Sequence, residues 1–118
     1  MKQTIVFDFD GVIHSYVSGW QGVDIISDKP VDGIKDVIDS LRSKGYEVVI
    51  VSTRTATTEG ANAIKAWLNR YDITVDNILA TKPPALVYVD DRAITFDGRT
   101  DNLCEKIQNF ESWLEKTR

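Results

Sequence analysis

Residues 4–11 read TIVFDFDG, a short apolar run that ends in two acidic residues and a glycine. Such a run is too short for a helix and is typical of a strand buried on both faces. Two similar runs follow, EVVIV at 47–51 and LVYV at 86–89, and a weaker strand is predicted at 73–75 or 78–80. These runs predict a parallel sheet at the centre of the fold.

Amphipathic segments lie between and after the strands. Apolar residues recur at helical spacing from Ile34 to Leu41, from Ile64 to Tyr71 and from Leu103 to Leu114. Strands that alternate with helices predict right-handed crossovers and a sheet covered by helices. We therefore expect an α/β fold, a three-layer Rossmann-like sandwich with a central parallel sheet, in a single domain over residues 1–118.

The segment between the first strand and the first helix departs from this alternation. Residues 11–30 carry three glycines and the aromatic residues Tyr16 and Trp20. A βα loop usually has about 2–6 residues, so this segment is long, yet it is too short for a folded cap domain. We expect a flap beside the ligand site, in which Tyr16 and Trp20 either stack on a base or sugar or anchor the flap. His14 is expected to make a structural hydrogen bond.

Composition narrows the class of protein. Apolar residues make up 42% and charged residues 27% of the 118, which excludes a disordered chain. The net charge is −4 and no basic run stands out, which argues against an extended nucleic-acid face but not against a small phosphate site. The single Cys104 allows no internal disulfide, and the amino-terminal residues contain no long apolar run. We expect a cytoplasmic protein with no membrane partner.

Polar residues follow the three apolar runs at the edge where parallel sheets bind ligands. They are Asp8 and Asp10, then Ser52, Thr53 and Arg54, and last Asp90 and Asp91, while Lys82 lies just ahead of the last run. Four carboxylates in a small volume repel one another, and a hard divalent cation relieves that repulsion. Oxygen ligands suit Mg²⁺, and the absence of a Cys/His cluster argues against zinc. The sequence therefore predicts a Mg²⁺–phosphate site.

Four motifs in this order resemble those of the haloacid dehalogenase (HAD) superfamily. IVFDFDGVIH at 5–14 looks like the first motif, VVIVSTR at 48–54 the second, ATKPPA at 80–85 the third and LVYVDDR at 86–92 the fourth. Asp-x-Asp alone is a weak signal, whereas the ordered set of four is specific. The resemblance implies a Mg²⁺-dependent phosphatase that hydrolyses a phosphomonoester through an aspartyl-phosphate.

The resemblance also implies roles for the acidic residues. Asp8 would be the nucleophile, and Asp10 would be the general acid for the leaving group and then the general base for water. The Asp8 carboxylate, the Asp10 backbone carbonyl and the Asp90 carboxylate would hold Mg²⁺. Asp91 would lie beside these ligands, bonded to Lys82.

The same resemblance assigns the phosphate-binding groups. Ser52 and Lys82 would bind the phosphoryl oxygens, and Thr53 is the alternative to Ser52 because it lies one residue away. Arg54 either touches the substrate or pairs with a nearby acid.

No cap domain is expected, and the open site leaves the substrate undecided. It would admit a phosphorylated small molecule, a phosphoprotein or a nucleic-acid end, unless a neighbouring subunit of a homo-oligomer covers it. Capless relatives include the 3′-phosphatase domains of polynucleotide kinases, so end processing of that kind is one alternative. A catalytically idle phosphate-binding regulator on the same fold is another. A signalling receiver module is disfavoured, because it has its acidic pair after the first strand and its phosphoacceptor after the third.

Overall fold

The computed structural model describes residues 2–117, and its four strands form one parallel sheet. They are β1 (Thr4–Phe7), β2 (Glu47–Ile50), β3 (Asn77–Ile78) and β4 (Val87–Val89), in the spatial order β3-β2-β1-β4. Each neighbouring pair is parallel, with Val6 of β1 opposite Val49 of β2 and Tyr88 of β4. The predicted α/β fold, a Rossmann-like sandwich around a central parallel sheet, is confirmed.

Four α-helices accompany the sheet. They are α1 (Ile34–Ser43), α2 (Thr58–Arg70), α3 (Leu103–Gln108) and α4 (Trp113–Thr117), and a 3₁₀ turn at Thr53–Ala56 precedes α2. The continuous helix predicted from Leu103 to Leu114 is wrong, because Asn109, a poor residue for a helix interior, ends α3 as its C-cap. The break lets the Trp113 indole N–H donate to the Gly11 carbonyl at 2.6 Å.

The larger part of the core lies on one face of the sheet. Helices α1 and α2 both pack there, with Ile38, Ile64 and Trp67 buried against the side chains of β1 and β2. On the opposite face Val6 and Val49 pack against residues that precede β4. Side chains alternate between the two faces of a strand and both faces are covered here, so the three buried residues of each strand, 5–7 in β1 and 48–50 in β2, are all apolar.

Strand β4 lies at an edge of the sheet and is less buried than its apolar sequence predicts. Val87 is 47% exposed and Tyr88 is 43% exposed. The prediction of a strand buried on both faces is therefore wrong for β4. The physical reason is that β4 pairs with β1 alone, so one side of it has no neighbouring strand in the described sheet.

The predicted flap joins β1 to α1 and is attached to the body at its base. The backbone of His14 pairs with that of Asp10 and with that of Pro30, each in a single β-bridge. Its ring is buried, stacked on Phe9 and edge-on to Trp67. These contacts place the flap over the carboxyl end of β1. Among residues 2–117, no helix is both long and apolar enough to cross a lipid bilayer.

Candidate functional site

Three carboxylates meet at the carboxyl edge of the sheet. Asp8 follows β1, and Asp90 and Asp91 follow β4, its neighbour in the sheet. One oxygen of each lies within 4.8 Å of the others. In the part of the chain that the structure describes, Asp91 Oδ1 is buried and has no hydrogen-bond partner. A set of hard oxygen donors with an unsatisfied acceptor fits Mg²⁺.

The pKa values of two of these acids are raised, mainly because both carboxyl groups are withdrawn from water. Burial raises the pKa of Asp8 to about 7, with the nearby Asp90 and Asp91 charges adding to the rise and a backbone hydrogen bond at Phe9 opposing it. Burial is also the main cause that raises the pKa of Asp91, and Asp90 adds to that rise. Both acids would release their protons more readily with a cation between them.

Gly11 allows the loop after β1 to approach Asp91. Its φ is +81°, a left-handed conformation that glycine adopts without strain. A Cβ at this position would collide with the Asp91 carboxylate. The glycine of Asp-x-Asp-Gly is therefore required both by the turn and by the acid packed against it.

A cavity of about 280 Å³ opens beside the carboxylates. Its walls come from the ends of β1, β2 and β4, from the flap and from the C-terminal segment. The lining residues are Asp8, Asp10, Tyr16, Gly19, Trp20, Ser52, Thr53, Asp91, Arg92, Ser112, Leu114 and Glu115. The three from the C-terminal segment were not predicted, because the sequence there shows only an amphipathic helix.

Asp10 lines this cavity, and Arg54 and His14 hold its carboxylate. Arg54 Nε donates to its two oxygens at 2.9 and 3.2 Å, and His14 Nδ1 lies 2.9 Å from Oδ1. Nη1 of Arg54 donates to the flap carbonyls of Gly22 and Val23 at 2.7 and 2.9 Å. The Arg54 side chain is fully buried. Of its two predicted uses, the structure therefore shows the one in which Arg54 pairs with an acid.

His14 makes the structural hydrogen bonds that were predicted for it. Its Nε2 accepts from the Asp28 backbone N–H at 3.1 Å. With Nε2 as the acceptor, Nδ1 carries the proton that is donated to Asp10. This assignment follows from the partners of the two ring nitrogens.

The two flap aromatics lie beside the cavity, and Trp20 also packs on a buried side chain of the body. Trp20 and Tyr16 line the cavity, and the Trp20 ring also lies over the Arg54 guanidinium, 4.6 Å from its carbon. Trp20 remains 53% exposed, so its indole can still meet a ligand. Burial raises the pKa of Tyr16, which has an edge contact with His14.

Ser52 and Thr53 both reach the cavity wall. Ser52 caps the 3₁₀ turn, and its Oγ accepts from the Arg54 backbone N–H at 3.2 Å. Thr53 is exposed at the same wall. Both hydroxyls therefore remain candidates for a phosphate oxygen.

The structure does not bring Lys82 to the cavity. Its ammonium lies 5.3 Å from the centre of the Tyr88 ring, and the side chain is exposed. Within residues 2–117, Lys82 is not among the lining residues and no ion pair joins it to Asp91. The predicted phosphate-binding role would need Lys82 to move.

Comparisons with known proteins show that other proteins share this fold, but they do not show the function of this chain. No family model and no curated protein matches this chain. One similar solved structure is a chain of "Structure of Pnkp1/Rnl/Hen1 complex", 20% identical, with a TM-score of 0.54, covering 96% of this chain and 36% of that chain. Another is from "Structure of the Pnkp1/Rnl/Hen1 RNA repair complex", 19% identical, with a TM-score of 0.56, covering 95% and 33%. This chain thus spans about a third of those chains, and at such identity the likeness shows the fold alone.

Proposed function

We propose that this chain is a Mg²⁺-dependent phosphatase that hydrolyses a phosphomonoester through an aspartyl-phosphate. The observation that carries the proposal is the Asp8, Asp90 and Asp91 cluster beside a cavity of about 280 Å³. These three acids belong to the first and fourth of the four motifs that resemble those of the HAD superfamily, and the four motifs come in the superfamily's order. The shared fold with chains of an RNA repair complex is compatible with an enzyme of this kind.

Asp8 is the proposed nucleophile. Its carboxylate oxygen would form a bond to phosphorus while the bond from phosphorus to the leaving oxygen breaks, and water would then cleave the aspartyl-phosphate. Asp8 must be ionised to attack, and its pKa of about 7 means that a neighbouring positive charge would favour the reactive form. Bound Mg²⁺, held by Asp8 and Asp90 with the Asp10 carbonyl, would supply that charge and offset the charge of the phosphate. Asp91 adds a carboxylate beside these ligands.

Asp10 is the proposed general acid and base. Its carboxylate lies at the cavity wall, held by Arg54 and His14, so its position is defined before a substrate arrives. In its protonated form it would give that proton to the leaving oxygen, and the carboxylate left behind would take a proton from the attacking water. The hydroxyl groups of Ser52 and Thr53, which also line the cavity, would donate to the phosphoryl oxygens.

We also propose a nucleic-acid end as the substrate that best fits the comparisons. One similar structure is described as an RNA repair complex. The half-exposed Trp20 beside the cavity offers an aromatic surface for a base next to the phosphate. A phosphorylated small molecule is the other candidate class.

The test is release of inorganic phosphate by the purified protein with Mg²⁺ and with EDTA. The substrates are p-nitrophenyl phosphate, nucleoside monophosphates, sugar phosphates, a phosphopeptide and a 3′-phosphorylated oligonucleotide. We expect metal-dependent release that falls at least about a thousandfold in Asp8→Asn and is unchanged in Asp36→Asn, an exposed acid of α1. Phosphate binding without release from any substrate would instead indicate the idle regulator.

A further inference from the structure

We propose that Arg92 is the cation that binds the substrate phosphate in the cavity, and that Glu115 occupies its guanidinium until the phosphate displaces it. The ligand is a phosphomonoester dianion. The inference rests on the proposed function for its place in a reaction, but binding alone can test it.

The charge of the cavity wall leads to Arg92. Four acids line the cavity, and in the described chain Arg92 is the one cation among the lining residues. A phosphate dianion that enters among carboxylates needs positive charge from the protein as well as from a metal. Arg92 directly follows Asp91, so it is placed at the carboxylate cluster by the same strand end.

Two other cations of the motifs are held away from a substrate. The Arg54 guanidinium is fully buried, with its Nε on Asp10 and its Nη1 on two flap carbonyls, and its Nη2, which has no hydrogen-bond partner among the described residues, is buried as well. Lys82 lies against Tyr88, away from the cavity lining. Arg92, by contrast, is 61% exposed and can reorient without breaking any buried contact.

Glu115 of α4 holds Arg92 in a way that a phosphate can replace. Arg92 Nη1 lies 2.8 Å from Glu115 Oε1, and Glu115 is 44% exposed. Exposed ion pairs contribute little to stability, whereas a doubly charged phosphate accepts two parallel N–H bonds from a guanidinium. The guanidinium also lies 5.7 Å from the Phe110 ring centre, and the Arg92 backbone N–H donates to Asp90 at 2.9 Å. The backbone bond fixes the Arg92 main chain beside the carboxylates, so the side chain starts from the cavity wall whichever partner it holds.

Direct binding of inorganic phosphate in the presence of Mg²⁺, measured by calorimetry, tests the first half of the inference. We expect Arg92→Met to weaken binding about tenfold or more. Arg99→Met, which removes another exposed arginine, should leave it unchanged. A larger loss in Lys82→Met than in Arg92→Met would overturn the inference, as would a wild-type protein that does not bind phosphate. Thermal melting of each variant confirms that it is folded.

A double-mutant cycle tests the role of Glu115. Glu115→Gln should tighten phosphate binding about two- to fivefold, because the competing carboxylate is gone. The same substitution in the Arg92→Met background should have no effect, since Glu115 then has nothing to compete for. Equal tightening in both backgrounds would overturn the competition and show Glu115 to be only a background charge. Glu111→Gln, an exposed neighbour outside the cavity, is the charge control.

Turnover separates this inference from the proposed function. With p-nitrophenyl phosphate and with the 3′-phosphorylated oligonucleotide, Arg92→Met should raise KM more than it lowers kcat, and Arg92→Lys should restore part of the loss. A loss confined to the oligonucleotide identifies a nucleic-acid end as the source of the phosphate. Arg92-dependent phosphate binding without turnover of any substrate would refute the proposed function and leave the binding inference standing.

Discussion

Arg54 and Asp10 form an ion pair in which the guanidinium is completely buried. Nε of Arg54 lies 2.9 Å from Asp10 Oδ2, and the Asp10 side chain is only 14% exposed. The same guanidinium donates to Gly22 and Val23 of the flap. One side chain from the end of β2 therefore joins the end of β1, the flap and the wall of the cavity.

Arg54→Met should destabilise the protein and release the flap. Removing one partner of a buried pair typically costs about 3–5 kcal/mol, because the other charge is left uncompensated. The flap carbonyls of Gly22 and Val23 also lose their donor. Urea denaturation measures the loss in the free energy of unfolding, and hydrogen exchange should rise for amides of residues 15–30.

Arg99→Met is the matched control for this prediction. Arg99 pairs with Asp101 at 2.9 Å, but the two side chains are 71% and 61% exposed. Exposed pairs of this kind are worth about 0–1 kcal/mol. Equal losses in the two variants would show that burial of the Arg54 guanidinium adds nothing to its pairing.

Gly11→Ala should damage the carboxylate cluster as well as the backbone. Its φ of +81° strains any L side chain, and the added Cβ would displace the Asp91 carboxylate. We expect a loss of about 1–3 kcal/mol in the free energy of unfolding and weaker Mg²⁺ binding by calorimetry. Gly98→Ala separates the two causes, because Gly98 has φ +85° and open space around it. If both variants bind Mg²⁺ as the wild type does, the contact with Asp91 is irrelevant to the metal.

The sequence predicted those parts of the site that directly follow strands. Asp8 and Asp90 each come after a short apolar run, and the pairing of these two strands brings their carboxylates together, so recognising the runs was enough to find them. Lys82 lies in a segment without periodicity, and no local rule showed that it would turn toward Tyr88.

The C-terminal wall could not be predicted for a different reason. A hydrogen bond from Trp113 to Gly11, 102 residues apart in sequence, places α4 at the cavity. Contacts of such long range leave no pattern in a single sequence. The amphipathic spacing indicated helix and gave no sign of the break at Asn109.

Asp8 should make the stability of the metal-free protein fall as the pH rises. Its pKa in the folded state is about 7, above its ordinary value of 3.8. Between these two values the folded state binds more protons than the unfolded state, so the free energy of unfolding decreases with rising pH. We expect this decline in EDTA from about pH 4 to about pH 7, followed by a plateau for this group. Urea denaturation at four or five pH values measures it.

Asp8→Asn provides the control for that pH dependence. An amide does not titrate, so the variant should be the more stable form in EDTA at pH 8 and should lose much of the decline. Asp91, whose pKa is raised as well, contributes what remains. A variant whose stability follows the wild-type curve over this range would contradict the burial of a titrating Asp8.

Mg²⁺ should reverse this loss of stability, and more so at high pH. A cation that binds the folded state raises the melting temperature, and it binds best when Asp8 and Asp91 are ionised. Differential scanning calorimetry should therefore show that about 10 mM Mg²⁺, an excess over a weak site, raises the melting temperature more at pH 8 than at pH 5. Asp90→Asn should remove most of the increase, whereas Asp101→Asn, an exposed acid paired with Arg99, should keep it. The same increase in wild type and Asp90→Asn would mean that Mg²⁺ binds the folded protein somewhere other than this cluster.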